Sequence, residues 1–351
     1  MLQSFFLFKF LILTSAAFIL ALLWEPLLYR LLLKYKMGKS IRDAEAAPVM
    51  SQMHAHKSGT PVMGGLLVWV TALILALVCL AVYKIWPDSF IGRMNFLTQS
   101  QTLLPLGVLV ASAIVGLVDD YLNVRRIGPK GGGLSVKHRL LTYSVIAAFG
   151  AWWFYSKLGW TIFHVPFMGS FDIGWLYIPV FFTVIVATSN SVNETDGLDG
   201  LSGGTLLIAF GAYAVIAALQ GKYDLATFLG VLMGGLLAFL WFNIHPAKFF
   251  MGDTGAMSLG VTLGVVAMLT NTALLLPIIG FIFVLETLSV IIQTASKKLR
   301  GGRKVFISTP IHHHFEAIGW PETKIVMRAW VVALITAALG VVLVVADQAK
   351  L

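Results

Sequence analysis

The chain has 351 residues, of which 58% are apolar and only 12% charged, and its mean hydropathy is +0.86. A soluble domain carries roughly 25% charged residues, so this composition excludes a soluble enzyme and a disordered chain. Cys79 is the one cysteine, which excludes an internal disulfide and a zinc site built on cysteines. The net charge of +9 reads as loops obeying the positive-inside rule, with no need for nucleic acid.

A spanning helix needs about 20 mainly apolar residues. Ten segments qualify, in chain order 5–33, 62–84, 102–118, 138–156, 174–190, 202–219, 225–243, 255–270, 274–295 and 327–346. The first outruns a cleavable signal core and contains Glu25-Pro26, where Pro26 predicts a kink or the end of the regular helix. The third, fifth and eighth are short for a full crossing, which predicts tilt or local thinning. Lys and Arg then orient the set. Lys9, Lys84, Arg93, Lys157, Lys222 and Lys350 fall on one side, and the other 19 of the 25 fall in or beside the loops after odd-numbered spans. Those loops are expected in the cytoplasm, with both termini outward. The predicted fold is an all-α polytopic membrane protein of about ten helices, forming one integral-membrane domain over 1–351. The longest non-spanning stretches are 34–61 and 296–326, and no repeat is visible.

Polar residues collect at the cytoplasmic span ends: Gly64-Gly65, Asp119-Asp120, Asn190 to Asp199, Asn243 to Asp253 and His312-His313-His314. A charged side chain at a membrane helix centre costs about 2.5–3.5 kcal/mol. Asp119, Asp120, Asp196, Asp199 and Asp253 on one face therefore predict a bound cation, and an all-oxygen set favours Mg²⁺ or Mn²⁺. Neighbours on a helix point about 100° apart, so Asp119 and Asp120 do not share one metal. Either the pair marks the water interface, or one faces the site and the other a basic residue or substrate. Asp253, with Gly252 and Gly255 close on either side, approaches a ligand or caps the following helix.

The run Asn190 to Leu201 has no Lys or Arg and repeats Asp-Gly-Leu. Its amides and backbone groups suit a base edge or sugar hydroxyls, although turn chemistry uses the same residues. In His312-His313-His314 a strand would bring His312 and His314 together. No fourth zinc ligand is evident, and the basic run Lys297, Lys298, Arg300, Arg303, Lys304 nearby favours phosphate or sugar contacts. That run equally suits anionic lipid headgroups. Glu286, deep in an apolar run, makes a helix–helix hydrogen bond or orients a basic partner near the active face.

Gly59-Thr60-Pro61-Val62-Met63-Gly64-Gly65, Asp119-Asp120-Tyr121, Asn190-Ser191-Val192-Asn193, Thr195-Asp196-Gly197-Leu198-Asp199-Gly200-Leu201, Asn243-Ile244-His245-Pro246-Ala247-Lys248, Phe250-Met251-Gly252-Asp253, Glu286-Thr287-Leu288-Ser289-Val290 and Pro310-Ile311-His312-His313-His314-Phe315-Glu316 follow in this order. Together they resemble the phospho-N-acetylmuramoyl-pentapeptide transferase family, over nearly the whole chain. The triple histidine points to this branch rather than to enzymes that transfer N-acetylhexosamine phosphate. The resemblance implies a Mg²⁺-dependent enzyme of the bacterial inner membrane, with ten spans, periplasmic termini, a cytoplasmic active site and a homodimeric state. The implied reaction moves phospho-MurNAc-pentapeptide from UDP-MurNAc-pentapeptide to undecaprenyl phosphate, giving lipid I and UMP. That is the first membrane step of peptidoglycan synthesis.

The resemblance also implies roles. Asp253 is the Mg²⁺ ligand, and Asp119 the base toward undecaprenyl phosphate with Asp120 in support. Asn190 and Lys137 hold phosphates. Gly197, Leu198, Asp199 and Phe250 form the uridine pocket. Asp196, Asn243, Gln293, His312, His313 and His314 contact the nucleotide sugar, with His312 counted also among the catalytic residues beside Asp119, Asp120 and Asp253, and Lys57 matches a family lysine. Asn123, Glu194 and Val62 depart from the family pattern, and Gly128 to Gly133 is unusually glycine-rich. Direct in-line attack and a phospho-aspartate route both remain open, as does the choice of base between Asp119 and Asp120. A transporter or flippase is the alternative of a different class; it requires polar residues along a path through the spans.

Overall fold

A computed structural model describes residues 2–38, 57, 59–99, 101–128 and 132–350. Most of the 34–61 loop, including Lys39, Arg42, Asp43 and Glu45, and Pro129 to Gly131 of the glycine-rich stretch lie outside the described residues.

The chain runs through α1 (Leu2–Lys34), α2 (Leu66–Ile85), the one-turn α3 (Phe90–Arg93), α4 (Leu103–Val124) and α5 (Val136–Trp152). A hairpin of β1 (Ile162–Val165) and β2 (Gly169–Asp172) follows, then α6 (Tyr177–Thr195), α7 (Leu201–Leu219), α8 (Tyr223–Asn243) and α9 (Gly252–Leu269). The chain closes with α10 (Leu276–Ile279), α11 (Phe281–Leu299), α12 (Ile311–Ala317) and α13 (Glu322–Gln348). Among the described residues, eight helices are long and apolar enough to cross a membrane: α1, α2, α4, α6, α7, α8, α9 and α13. This is a polytopic helical membrane protein.

Four expectations are sharpened. First, 274–295 does not form one straight span. A 3₁₀ turn and α10 meet α11 at 85° around Gly280, whose backbone (φ −98°, ψ 35°) leaves the helix. Second, 138–156 is the 17-residue α5 plus a π-helical turn, Trp153–Lys157. Lys137, His138 and Arg139 occupy its first turn and shorten its apolar run. Third, Pro26 does not end α1. Fourth, the all-α expectation omits the antiparallel hairpin, in which Ile162 pairs with Asp172 and Val165 with Gly169. β-branched and aromatic residues suit its first strand.

Helix α9 is the axis of the bundle. Every residue from Thr254 to Leu269 is buried, and it packs against α4 and α6. Helix α8 in turn packs against α1 and α7. The outer surface is apolar, with Leu23, Trp241 and Met327 well exposed, as expected where lipid is the solvent. Helix α11 shows the consequence clearly. Glu286, Ser289, Gln293 and Ser296 face inward, whereas Leu285, Leu288, Ile291 and Ile292 face out.

The two chain ends lie at one end of the bundle. Lys9 of α1 binds Asp224 at the start of α8 (2.9 Å) and the carbonyl of Asn95. Near the other terminus, Asp347 binds His164 of the hairpin and accepts from the Phe167 amide. The opposite end gathers the acidic motifs.

Candidate active site

Helix α4 continues past the apolar run that defined the third expected span, so Asp119 and Asp120 lie inside it, both buried. They point to different partners, as the helical offset requires. Asp120 accepts hydrogen bonds from the backbone N–H groups of Asp253 (2.9 Å) and Thr254 (3.0 Å). It therefore caps α9 and places a negative charge at a helix N-terminus. Gly252 permits this approach. Its φ is +73°, and a Cβ there would press on the Asp120 carboxylate. The capping carboxylate of α9 is thus Asp120, which leaves Asp253 free of that task.

Asp119 takes the other direction. Its Oδ2 accepts from Arg139 Nε (2.7 Å) on α5, and its Oδ1 accepts from the Leu134 amide. The same guanidinium reaches Asp253 Oδ2 at 3.0 Å. Asn193 of α6 donates to Asp253 Oδ1 and lies near Arg139. Four helices thus converge on one guanidinium and three carboxylates. Asp253 is the most accessible acid of the bridged pair, with its side chain 15% exposed against 3% for Asp119.

A second centre lies at the α6–α7 connection. Lys57 Nζ binds Asp199 Oδ1 (2.7 Å) and Glu322 Oε1 (2.6 Å). Asp199 also accepts from His245 Nδ1 (3.0 Å) and the Ala247 amide (3.1 Å), and its own amide donates to Glu322. Burial pushes the Asp199 carboxyl up, but the hydrogen bond and charge of Lys57 outweigh it and hold the group below the usual carboxylate value. Lys57 also lies 5.7 Å from the centre of the Phe250 ring. Asn243 fixes the turn by accepting from the Gly200 amide (2.9 Å) and donating to the Phe249 carbonyl. Leu198 is buried in a small apolar cluster with Ile282, Ile325 and Val326. The Gly64 amide bonds the Phe250 carbonyl (2.7 Å) and the Phe250 amide bonds Pro61 (2.8 Å), so two distant motifs run side by side.

The third cluster holds the histidines. They form a helix, α12, after Pro310, so the strand alternative does not apply. Proline suits the position before a helix because it has no amide to satisfy there. His312 is buried and its Nδ1 meets Glu286 Oε2 at 2.9 Å. Glu286 is therefore the residue that orients a basic partner. His312 Nε2 is buried, has no hydrogen-bond partner, and faces Gly197 so closely that a Cβ there would collide with it. His313 pairs with Glu316 (2.8 Å), and His314 accepts from the Ile307 amide. The Gln293 amide is engaged by the Val305 and Phe306 backbone, at 2.8–3.1 Å. Asn190 hydrogen-bonds the Glu194 carboxylate. Lys137 is exposed at the start of α5, and Asp196 ends α6.

Sequence reasoning did not select Arg139, Asn193, His245 or Glu322 as site residues. Arg139 resembled any other cation of the inner face. Glu322 sits where an acid complements a helix start. Neither carries a signal until a partner in space is seen.

The carboxylate centre fits a divalent cation. Asp119 and Asp253 lie within hydrogen-bonding reach of each other, and two such carboxylates ionise together only beside compensating charge. Arg139 supplies one positive charge against three acids. Hard oxygen donors of this kind suit Mg²⁺.

Acidic helix ends grouped at one end of an apolar bundle make this a polytopic membrane protein with a polar centre suited to a cation. Residues 102–271 match the family model described as Glycosyl transferase family 4. Curated relatives narrow it further. The chain is 42% identical over 330 residues to the phospho-N-acetylmuramoyl-pentapeptide-transferase of Geobacillus kaustophilus, covering 93% of this chain and 95% of that protein. It is 43% identical over 332 residues to that of Shouchella clausii (93% and 94% covered) and 39% over 326 residues to that of Bacillus subtilis (92% and 94%). The chain belongs to the phospho-N-acetylmuramoyl-pentapeptide transferase family.

Proposed function

We propose that this protein transfers phospho-MurNAc-pentapeptide from UDP-MurNAc-pentapeptide to undecaprenyl phosphate, releasing UMP and forming lipid I. It acts as one integral-membrane catalytic domain over 1–351. In this reading α5 and the bent α10–α11 pair join the eight long apolar helices to make ten spans, and the Lys and Arg distribution supports termini in the periplasm with the carboxylates at the cytoplasmic face. The resemblance further implies a homodimer in the inner membrane. The observation that carries the reading is that Arg139 bridges Asp119 and Asp253 while Asp120 caps the helix that carries Asp253, beside two clusters built from the other family motifs.

A phosphate oxygen of the lipid attacks the β-phosphorus of the nucleotide. The bond from that phosphorus to the UMP oxygen breaks, and UMP carries away the electron pair. Asp119 is the base of this reading: Asp120 is fixed by two backbone amides as the cap of α9, whereas one Asp119 oxygen is held by the Arg139 side chain. Asp253 holds Mg²⁺, which when bound neutralises the diphosphate and the leaving UMP. Lys137 and Asn190 serve the phosphates. Gly197, Leu198, Asp199 and Phe250 form the uridine pocket, with Lys57 fixing Asp199. Asp196, Asn243, Gln293 and His312 to His314 serve the sugar side, where His312 Nε2 offers an unspent polar atom. Purified protein with both substrates is expected to release UMP with Mg²⁺ and not with chelator. Equal release from UDP-N-acetylglucosamine would move the assignment to the hexosamine branch.

A further inference from the structure

Arg139 is the cation that joins Asp119 to Asp253. Its Nε holds Asp119 at 2.7 Å and its terminal nitrogen holds Asp253 at 3.0 Å, with Asn193 beside both. A guanidinium is a planar fork that grips two carboxylates at once and stays charged. In this position it does what a divalent cation would do, since it lets two close carboxylates stay ionised. We propose that Arg139 is a built-in competitor for the metal: it occupies Asp253 when no divalent cation is bound and cedes that carboxylate when one binds, keeping its grip on Asp119. The inference rests on Asp253 being the metal ligand.

Three observations favour exchange over a fixed strut. The Arg139 contact to Asp253 is the longer of its two ion pairs. Asp253 is the more accessible carboxylate, so an arriving cation meets it first. Asp119 is anchored a second time by the Leu134 amide, so it keeps its place when the bridge opens. Arg139 is thus a positioning residue. It tunes metal affinity through Asp253 and the direction of Asp119 through Nε, with no contact to substrate required. A guanidinium released from Asp253 also has free N–H groups to offer a phosphate oxygen.

The test is Mn²⁺ binding to the purified full-length protein in detergent, read by electron paramagnetic resonance. Arg139→Gln removes the competitor, and its Mn²⁺ affinity is expected to rise at least tenfold over wild type. Turnover at saturating metal should fall, because Asp119 loses its Nε partner. Unchanged or weaker Mn²⁺ affinity in Arg139→Gln overturns the proposal and marks Arg139 as structural. If that variant does not fold, Arg139→Lys decides instead. A lysine is a point charge that cannot fork, so Mn²⁺ affinity should lie above wild type. Wild-type affinity there would count against exchange. The underlying metal assignment fails separately, if wild type and Asp253→Asn bind Mn²⁺ alike.

Discussion

The two polar centres are built from the same kinds of residues and end with different charge. Around Asp119 and Asp253, two carboxylates share one guanidinium, and a third, Asp120, binds the Asp253 and Thr254 amides beside them. Around Asp199 and Glu322, a lysine stands between the two acids at 2.6–2.7 Å, with His245 at 3.0 and 3.3 Å. Asp199, His245 and Glu322 are close enough together to ligate an ion, yet Lys57 already supplies the cation there. Ligand spacing alone does not distinguish the two centres; the charge left over does. The first centre sets three acids against one guanidinium and suits an ion. The second sets two acids against Lys57, with His245 beside them, so it is less negative and suits hydrogen bonding to an uncharged group such as a base.

The largest expected effect breaks the first centre. Asp253→Asn should lower kcat about 10³-fold or more, since metal neutralisation is worth several kcal/mol and each 1.36 kcal/mol is tenfold. Raising Mg²⁺ should not restore it. Asp119→Asn should cost about 10²- to 10⁴-fold in kcat, the range for loss of a general base, while Mn²⁺ binding persists. Lys57→Met acts on the second centre. It strands two buried carboxylates, a loss of about 3–5 kcal/mol in stability, and should raise KM for the nucleotide while leaving metal affinity intact. Asp120→Asn should lower stability by about 0.5–2 kcal/mol as a weakened cap, read by thermal unfolding.

The pH dependence sharpens the same contrast. The folded-state value of Asp199 lies below its unfolded one. Its contribution is therefore complete above the unfolded value, about 3.9, and is lost as pH falls through the lower folded value. Thermal stability should hold between pH 5 and 7 with respect to this group and fall at more acid pH. Lys57→Met should remove much of that acid-sensitive increment.

Much of this was legible in advance because charge is scarce. All eight spanning helices coincide with expected segments; seven start and end within five residues of the expected bounds, and α4 runs six residues past its expected end. Asp119, Asp199 and Asp253 stood out for the same reason. What hid was relational. The cap of α9 is Asp120 and not Asp253, because capping depends on which helix start lies beside which carboxylate. Arg139 and Glu322 matched rules for loop charge and helix ends, so nothing local set them apart. The bend at Gly280 sits inside an apolar run, where hydropathy is blind to direction. Burial also speaks against the transporter alternative. Beyond Thr262, α9 presents only Leu263 to Leu269, an apolar and close-packed stretch with no polar path.

The most direct test compares Mn²⁺ binding in wild type, Asp253→Asn and Asp199→Asn under one condition. The charge argument expects Asp253→Asn to abolish saturable binding and Asp199→Asn to leave it within about twofold of wild type, roughly 0.4 kcal/mol. Loss of binding in Asp199→Asn with retention in Asp253→Asn would contradict it, and would move the ion to the lysine-bearing centre.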